Sequence, residues 1–69
     1  MEIENKTLIL EALRQRFQSQ AQEARVRMNL YINYPIGVGE HPNIVDEAAK
    51  AVIDYEQSMS CVEIVNGLK

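Results

Sequence analysis

Apolar residues recur through the first half of the chain at Leu10, Leu13, Phe17, Ala21, Ala24, Met28 and Tyr31, separated alternately by three and four positions. That period gathers them on one side of an α-helix. Ile3, Leu10, Phe17, Ala24 and Tyr31 also share a strict seven-residue repeat, the spacing that keeps a stripe facing a partner helix along its length. Neither Pro nor Gly occurs between Asn5 and Asn33, and the intervening Gln15, Gln18, Gln22, Glu23 and Arg25 are good helix-surface residues. The pattern predicts a helix over about 5–33, roughly 42 Å long at 1.5 Å per residue.

The segment from Tyr34 to Pro42 breaks the periodicity with Pro35, Gly37, Gly39 and Pro42. Pro35 disfavours helical backbone at Tyr34 and so ends the first helix near Asn33, while the two glycines permit a tight reversal. A loop over about 34–42 is therefore expected. Pro42 suits the first position of a new helix, and an alternative start has Asn43 as N-cap with Asp46 three residues on. A second seam follows at Val45, Ala48, Val52, Tyr55, Met59 and Val62, again in steps of three and four, predicting a helix over about 43–66. Gly67 is expected to end it in a left-handed cap with Leu68 folding back. Ser58, Ser60 and Cys61 lower helix propensity locally, making that stretch the expected place for a kink. The fold class expected is all-α: one domain over 1–69, an antiparallel two-helix hairpin.

Further apolar residues widen both stripes: Leu8, Ile9, Val26, Leu30 and Ile32 on the first helix, and Ile44, Ala49, Ile53, Ile64 and Val65 on the second. Two antiparallel helices share one contact line, which leaves flanks on each that a second hairpin can cover. A chain of 69 residues is near the lower limit for a self-sufficient core, and its single cysteine, Cys61, rules out an intrachain disulfide. Packing or oligomerisation must then supply the stability. The expectation is a homodimer that forms a four-helix bundle, with Leu10, Leu13, Phe17, Ala24, Met28, Tyr31, Val45, Val52, Tyr55 and Met59 as its core and oligomer seam.

Charge sharpens this picture. Arg14, Arg16, Arg25 and Arg27 stand against Glu23 in the middle of the first helix, while Glu40, Asp46, Glu47, Asp54 and Glu56 stand against Lys50 over residues 40–56. Antiparallel pairing brings the basic stretch beside the acidic one, which selects register and partner more than it stabilises. The net charge of −3 opposes binding to a polyphosphate backbone, and the arginines are not interleaved with stacking aromatics, so no nucleic-acid partner is expected. No apolar run approaches the ~20 residues of a membrane span, and the first residues lack a signal-peptide pattern. No membrane partner is expected, and the reducing cytoplasm is the expected compartment.

Candidate chemistry is confined to the loop. Gly37 and Gly39, ahead of a helix start, could form an anion-binding nest, with Glu40 and His41 beside it. The spacing matches neither a phosphate-binding P-loop nor a dinucleotide fingerprint, and the simpler account is a connector between two helices. Glu40 and His41 are adjacent and lack the further ligands that a structural zinc site requires, so neither metal nor cofactor is expected. Cys61 has no partner base and reads as a small packed hydrophobe. The chain is not expected to be an enzyme.

The stretch Leu30-Tyr31-Ile32-Asn33-Tyr34-Pro35-Ile36-Gly37-Val38-Gly39-Glu40-His41-Pro42-Asn43-Ile44-Val45 resembles the hairpin segment of small uncharacterised proteins of marine tailed phages. In those proteins an Asn-Pro-Val-Gly-Val-Gly-Glu-His-Pro-Asp-Ile pattern recurs; this chain departs from it at Tyr34, Ile36 and Asn43. The resemblance implies a phage or marine environmental origin and a two-helix fold, and it brings no activity or site residues. The function expected is that of a small helical interaction protein acting through oligomerisation and an unidentified protein partner, in the host cytoplasm if the chain is of phage origin. The alternative is a small-ligand or anion binder using the loop 37–41.

Overall fold

The computed structural model describes residues 5–33 and 43–68. They form two helices, α1 (Asn5–Asn33) and α2 (Ile44–Gly67), packed along one another. The molecule is a rod of 55 × 19 × 15 Å with a radius of gyration of 16.0 Å, against about 11 Å for a compact chain of this length. The loop 34–42, and with it the expected helix start at Pro42, lies outside the described residues.

α1 ends two residues before Pro35, as the steric restriction on the residue preceding a proline requires. At the start of α2, the Asn43 backbone carbonyl accepts the N–H of Glu47 at 3.0 Å, the first bond of the helix. Asn43 occupies the N-cap position, yet its side chain makes no capping bond; Asp46 and Glu47 in the first turn face the positive end of the helix dipole instead.

Two local expectations are corrected. α2 runs unbroken through Ser58, Ser60 and Cys61, because Ser58 is buried and tertiary packing outweighs a weak propensity. Gly67 is the last helical residue, without a left-handed backbone. The cap is Leu68, extended at φ −81 and ψ 139, whose N–H donates to the Val65 carbonyl at 3.1 Å.

Along α1 every seam residue faces inward: Ala21 and Ala24 are buried, and Leu10, Leu13, Phe17, Met28 and Tyr31 are half-buried. On α2 the inward row keeps Ala48, Tyr55 and Val62 of the expected seam but is turned to one side of it. Ile44, Ala48, Ala51, Tyr55, Ser58, Val62 and Val65 are buried or half-buried, whereas Val45, Val52 and Met59, expected in the seam, are exposed, Val45 at 76 %. The physical reason lies opposite, in α1. Its inward face narrows to alanine at Ala21 and Ala24, so the helices approach closely, and Ala51 and Ser58 fit where Val52 and Met59 would hold the axes apart.

The core that results is thin. Among the described residues it consists of Ala21, Ala24, Ala51, Val62 and Val65, and no large side chain is fully buried.

Candidate interaction surface

The expected binding residues Gly37, Gly39, Glu40 and His41 lie outside the described residues. The expected seam residues divide into an inward set on α1, joined by Tyr55, and an outward row of Val45, Val52 and Met59 on α2. That outward row is a product of the rotation of α2, and it is what the structure adds to the sequence reading.

Two polar links between the helices set the register. Arg27 Nη1 donates to Asp54 Oδ2 at 3.1 Å, and Arg14 Nε donates to Asn66 Oδ1 at 2.7 Å. Moving along α1 from Arg14 to Arg27 therefore moves back along α2 from Asn66 to Asp54. The helices are antiparallel, with Arg25 level with Glu56 and Gln18 level with Glu63.

The hairpin has two unlike flanks, each with an open groove between the helices. One groove is lined by Gln20, Glu23, Arg27, Asp54, Gln57, Ser58 and Cys61. Its lining is mostly polar: Arg27 and Asp54 pair with one another, and Glu23 adds a negative charge. The opposite groove is lined by Gln18, Ala21, Gln22, Arg25, Tyr55 and Met59. Val45, Val52 and Met59 run along the α2 side of this second flank at seven-residue spacing, so helical geometry stacks them in one row. Glu56 and Glu63 edge the same side, while α1 contributes Ile32 and the exposed Arg25. Among the described residues Arg27–Asp54 is the one ion pair, so Arg25 and Glu56 face solvent without an opposite charge.

A third depression follows the surface of α1 alone, lined by Gln22, Arg25, Val26, Met28, Asn29, Ile32 and Asn33. At its base the Asn33 side-chain amide donates to the Asn29 side-chain oxygen, a pairing within one helix. All three hollows are open depressions on helix surface; the polar one alone brings carboxylates, Glu23 and Asp54, near a thiol, Cys61.

The described residues contain no group of three or more His, Cys, Asp or Glu side chains placed to hold a metal ion. Among the described residues no helix is long and apolar enough to cross a membrane. Cys61 is a free, half-buried thiol.

The inward row of α2 was present in the sequence as a competing signal. Ile44, Ala48, Ala51, Tyr55, Ser58, Val62 and Val65 are also spaced alternately by four and three, as regularly as the row that contains Val45 and Met59. The larger side chains of the latter row concealed it.

No family model, curated protein or solved structure matches this chain.

Proposed function

We propose that this chain is a non-enzymatic interaction protein: a helical hairpin that pairs with a second copy into a four-helix bundle and presents the outer faces of that bundle to a larger protein partner. One observation carries the reading, the imbalance between what the hairpin buries and what it leaves in water. Three of the five core residues are alanines, while eleven large apolar side chains are exposed among the described residues. At about 1.5–3 kcal/mol for each large apolar side chain transferred out of water, covering even a few of them outweighs the exposed ion pairs available to a lone hairpin.

The surface area supports the same reading. The chain exposes 5637 Å², whereas a compact monomer of 7.9 kDa is expected to expose about 4,400 Å². The excess is comparable with the surface that a specific protein interface removes. A second hairpin is the partner always at hand and the one whose helices have matching length. The resemblance of residues 30–45 to marine tailed-phage hairpin proteins directs the search for the larger partner toward host and virion proteins.

Sedimentation equilibrium at micromolar concentration tests the core of the proposal. The expected mass is twice the 7.9 kDa of the chain. A species of single-chain mass with full helicity and a cooperative melt would overturn it.

A further inference from the structure

We propose that the second copy docks on the Val45–Val52–Met59 flank, related by a two-fold axis parallel to the long axis of the hairpin, so that α1 of each copy lies over α2 of the other and Arg25 meets Glu56 of the partner subunit. This rests on the oligomer reading above and specifies its face and its symmetry.

The choice of face follows from the difference between the flanks. The Arg27–Asp54 flank is lined mainly by polar side chains, with Arg27 and Asp54 already paired and Glu23 a charge that a covering copy would have to desolvate. On the backs of the helices the exposed apolar residues make at most a single one-turn pair, Val26 and Leu30 on α1, while Leu8 stands far from them and Ile53 and Ile64 on α2 are three turns apart. Val45, Val52 and Met59 alone form a continuous exposed row at the spacing a facing helix fills. Met59 lines a groove whose lining includes Ala21, small enough to admit side chains from another helix; Val52 continues the row level with Asn29, and Val45 extends it past the end of α1.

The choice of symmetry follows from charge. Two copies can bring this flank face to face in two isologous ways. With the two-fold axis across the helices, α1 lies on α1 and α2 on α2. An axis level with Arg25 and Glu56 then sets Arg25 against Arg25 of the partner subunit and Glu56 against Glu56 of the partner subunit, and one between Glu56 and Glu63 sets these two carboxylates against one another across the interface. With the axis along the helices, axial level is preserved and unlike helices face one another. Because Arg25 is level with Glu56 within one chain, it is then level with Glu56 of the partner subunit, and Gln18 is level with Glu63 of the partner subunit. The other charges on the α1 side of this flank are Arg14, already bonded to Asn66 of its own chain, and Glu11, which falls beyond the end of α2 in that register. Both copies contribute the Arg25–Glu56 contact, so it occurs twice per dimer. Every adjacent pair in the resulting bundle is antiparallel, including the new ones, which also opposes the helix dipoles.

A charge-reversal cycle read by sedimentation equilibrium on the full chain tests both choices. Arg25 and Glu56 are exposed, so neither substitution disturbs the fold of the hairpin, and circular dichroism checks that helicity is kept. Arg25→Glu and Glu56→Arg are each expected to weaken the dimer about tenfold, since each replaces two attractions with two repulsions. The double variant restores attraction across the interface and is expected to recover the wild-type dissociation constant to within about threefold, with the losses shrinking at 1 M salt. A second variant, Val52→Asp, is expected to weaken the dimer by more than tenfold, because it sets a carboxylate in the apolar row.

Each other outcome speaks against a distinct element. If Glu56→Arg alone tightens the dimer, like helices face one another and the symmetry is wrong. If all four proteins dimerise equally, the second copy uses another face, and the oligomer reading survives without this inference. If the wild-type chain is a folded monomer, both readings fall together.

Discussion

The Arg27 guanidinium and the Asp54 carboxylate meet at 3.1 Å across the two helices, with about two-fifths of each side chain still in water, 40 % and 39 %. This pair holds α1 and α2 in register but does not hold them together. At such exposure the ionic attraction is largely offset by solvent screening and by the entropy of fixing two long side chains. A double-mutant cycle with Arg27→Ala and Asp54→Ala is expected to return a coupling of about 0.2–1 kcal/mol in low salt that disappears toward 1 M salt. A coupling above about 2 kcal/mol would contradict this assignment.

Ala24 and Ala51 are both 0 % exposed, and they define how closely the helices approach. Enlarging either should force the axes apart, so Ala24→Leu and Ala51→Leu are each expected to cost about 1–3 kcal/mol in denaturant unfolding at fixed chain concentration. Val52→Ala, at an exposed site, should leave the hairpin's own packing intact and act mainly on association. Equal effects from Ala51→Leu and Val52→Leu would mean that α2 is rotated differently from the orientation described.

Gly67 is helical, its backbone is not left-handed, and nothing lies within 4 Å of the position a Cβ would take. Gly67→Ala therefore meets no steric obstacle and removes conformational freedom from the unfolded chain. It is expected to stabilise the protein by about 0.4–1 kcal/mol in chemical denaturation. The sign is diagnostic, since a left-handed cap at this position would make the same substitution destabilising.

If dimer formation completes the core, the melting temperature depends on chain concentration, because association binds only the folded hairpin. Differential scanning calorimetry across a hundredfold dilution is expected to show a rise of roughly 5 °C for each tenfold increase in concentration. Leu13, half-buried in the lone hairpin, should on substitution by Ala cost about 1–2 kcal/mol, less than a fully buried leucine does. A melting temperature independent of concentration would remove the case for a second copy.

The loop 37–41 is expected to behave as a connector. His41→Ala should leave the melting temperature within about 1 °C, as expected of a connector residue whose side chain the fold does not depend on. Inorganic phosphate and sulfate should produce no saturable shift in either protein. A concentration-dependent phosphate-induced rise that His41→Ala abolishes would instead identify the loop as an anion site, since a ligand of the folded state stabilises by mass action.

Local sequence determined the elements themselves. Unbroken periodicity over Asn5–Asn33 and the interruption at Pro35 define α1, and the same two features place its inward face on Leu10, Leu13, Phe17, Ala21, Ala24, Met28 and Tyr31. Only one apolar stripe exists in the middle of α1, since Gln15, Gln18, Gln22, Glu23 and Arg25 occupy the rest of its circumference. A helix with one apolar side has one way to face a partner.

α2 offered two ways, and only the tertiary structure decided between them. Its apolar residues run nearly around the helix, so Val45, Val52 and Met59 made as regular a row as Ile44, Ala51, Ser58 and Val65. Periodicity cannot separate two such rows, and the greater hydrophobicity of the first favours the wrong one. The choice belongs to the surface opposite: the alanines at Ala21 and Ala24 allow the helices to approach closely, and close approach is possible only with Ala51 and Ser58 between them. The same constraint turned Val45, Val52 and Met59 outward and so created the flank on which a second copy is proposed to dock. A single helix carries its own period, but which side it buries depends on a surface about thirty residues away in the chain, and that is settled by packing.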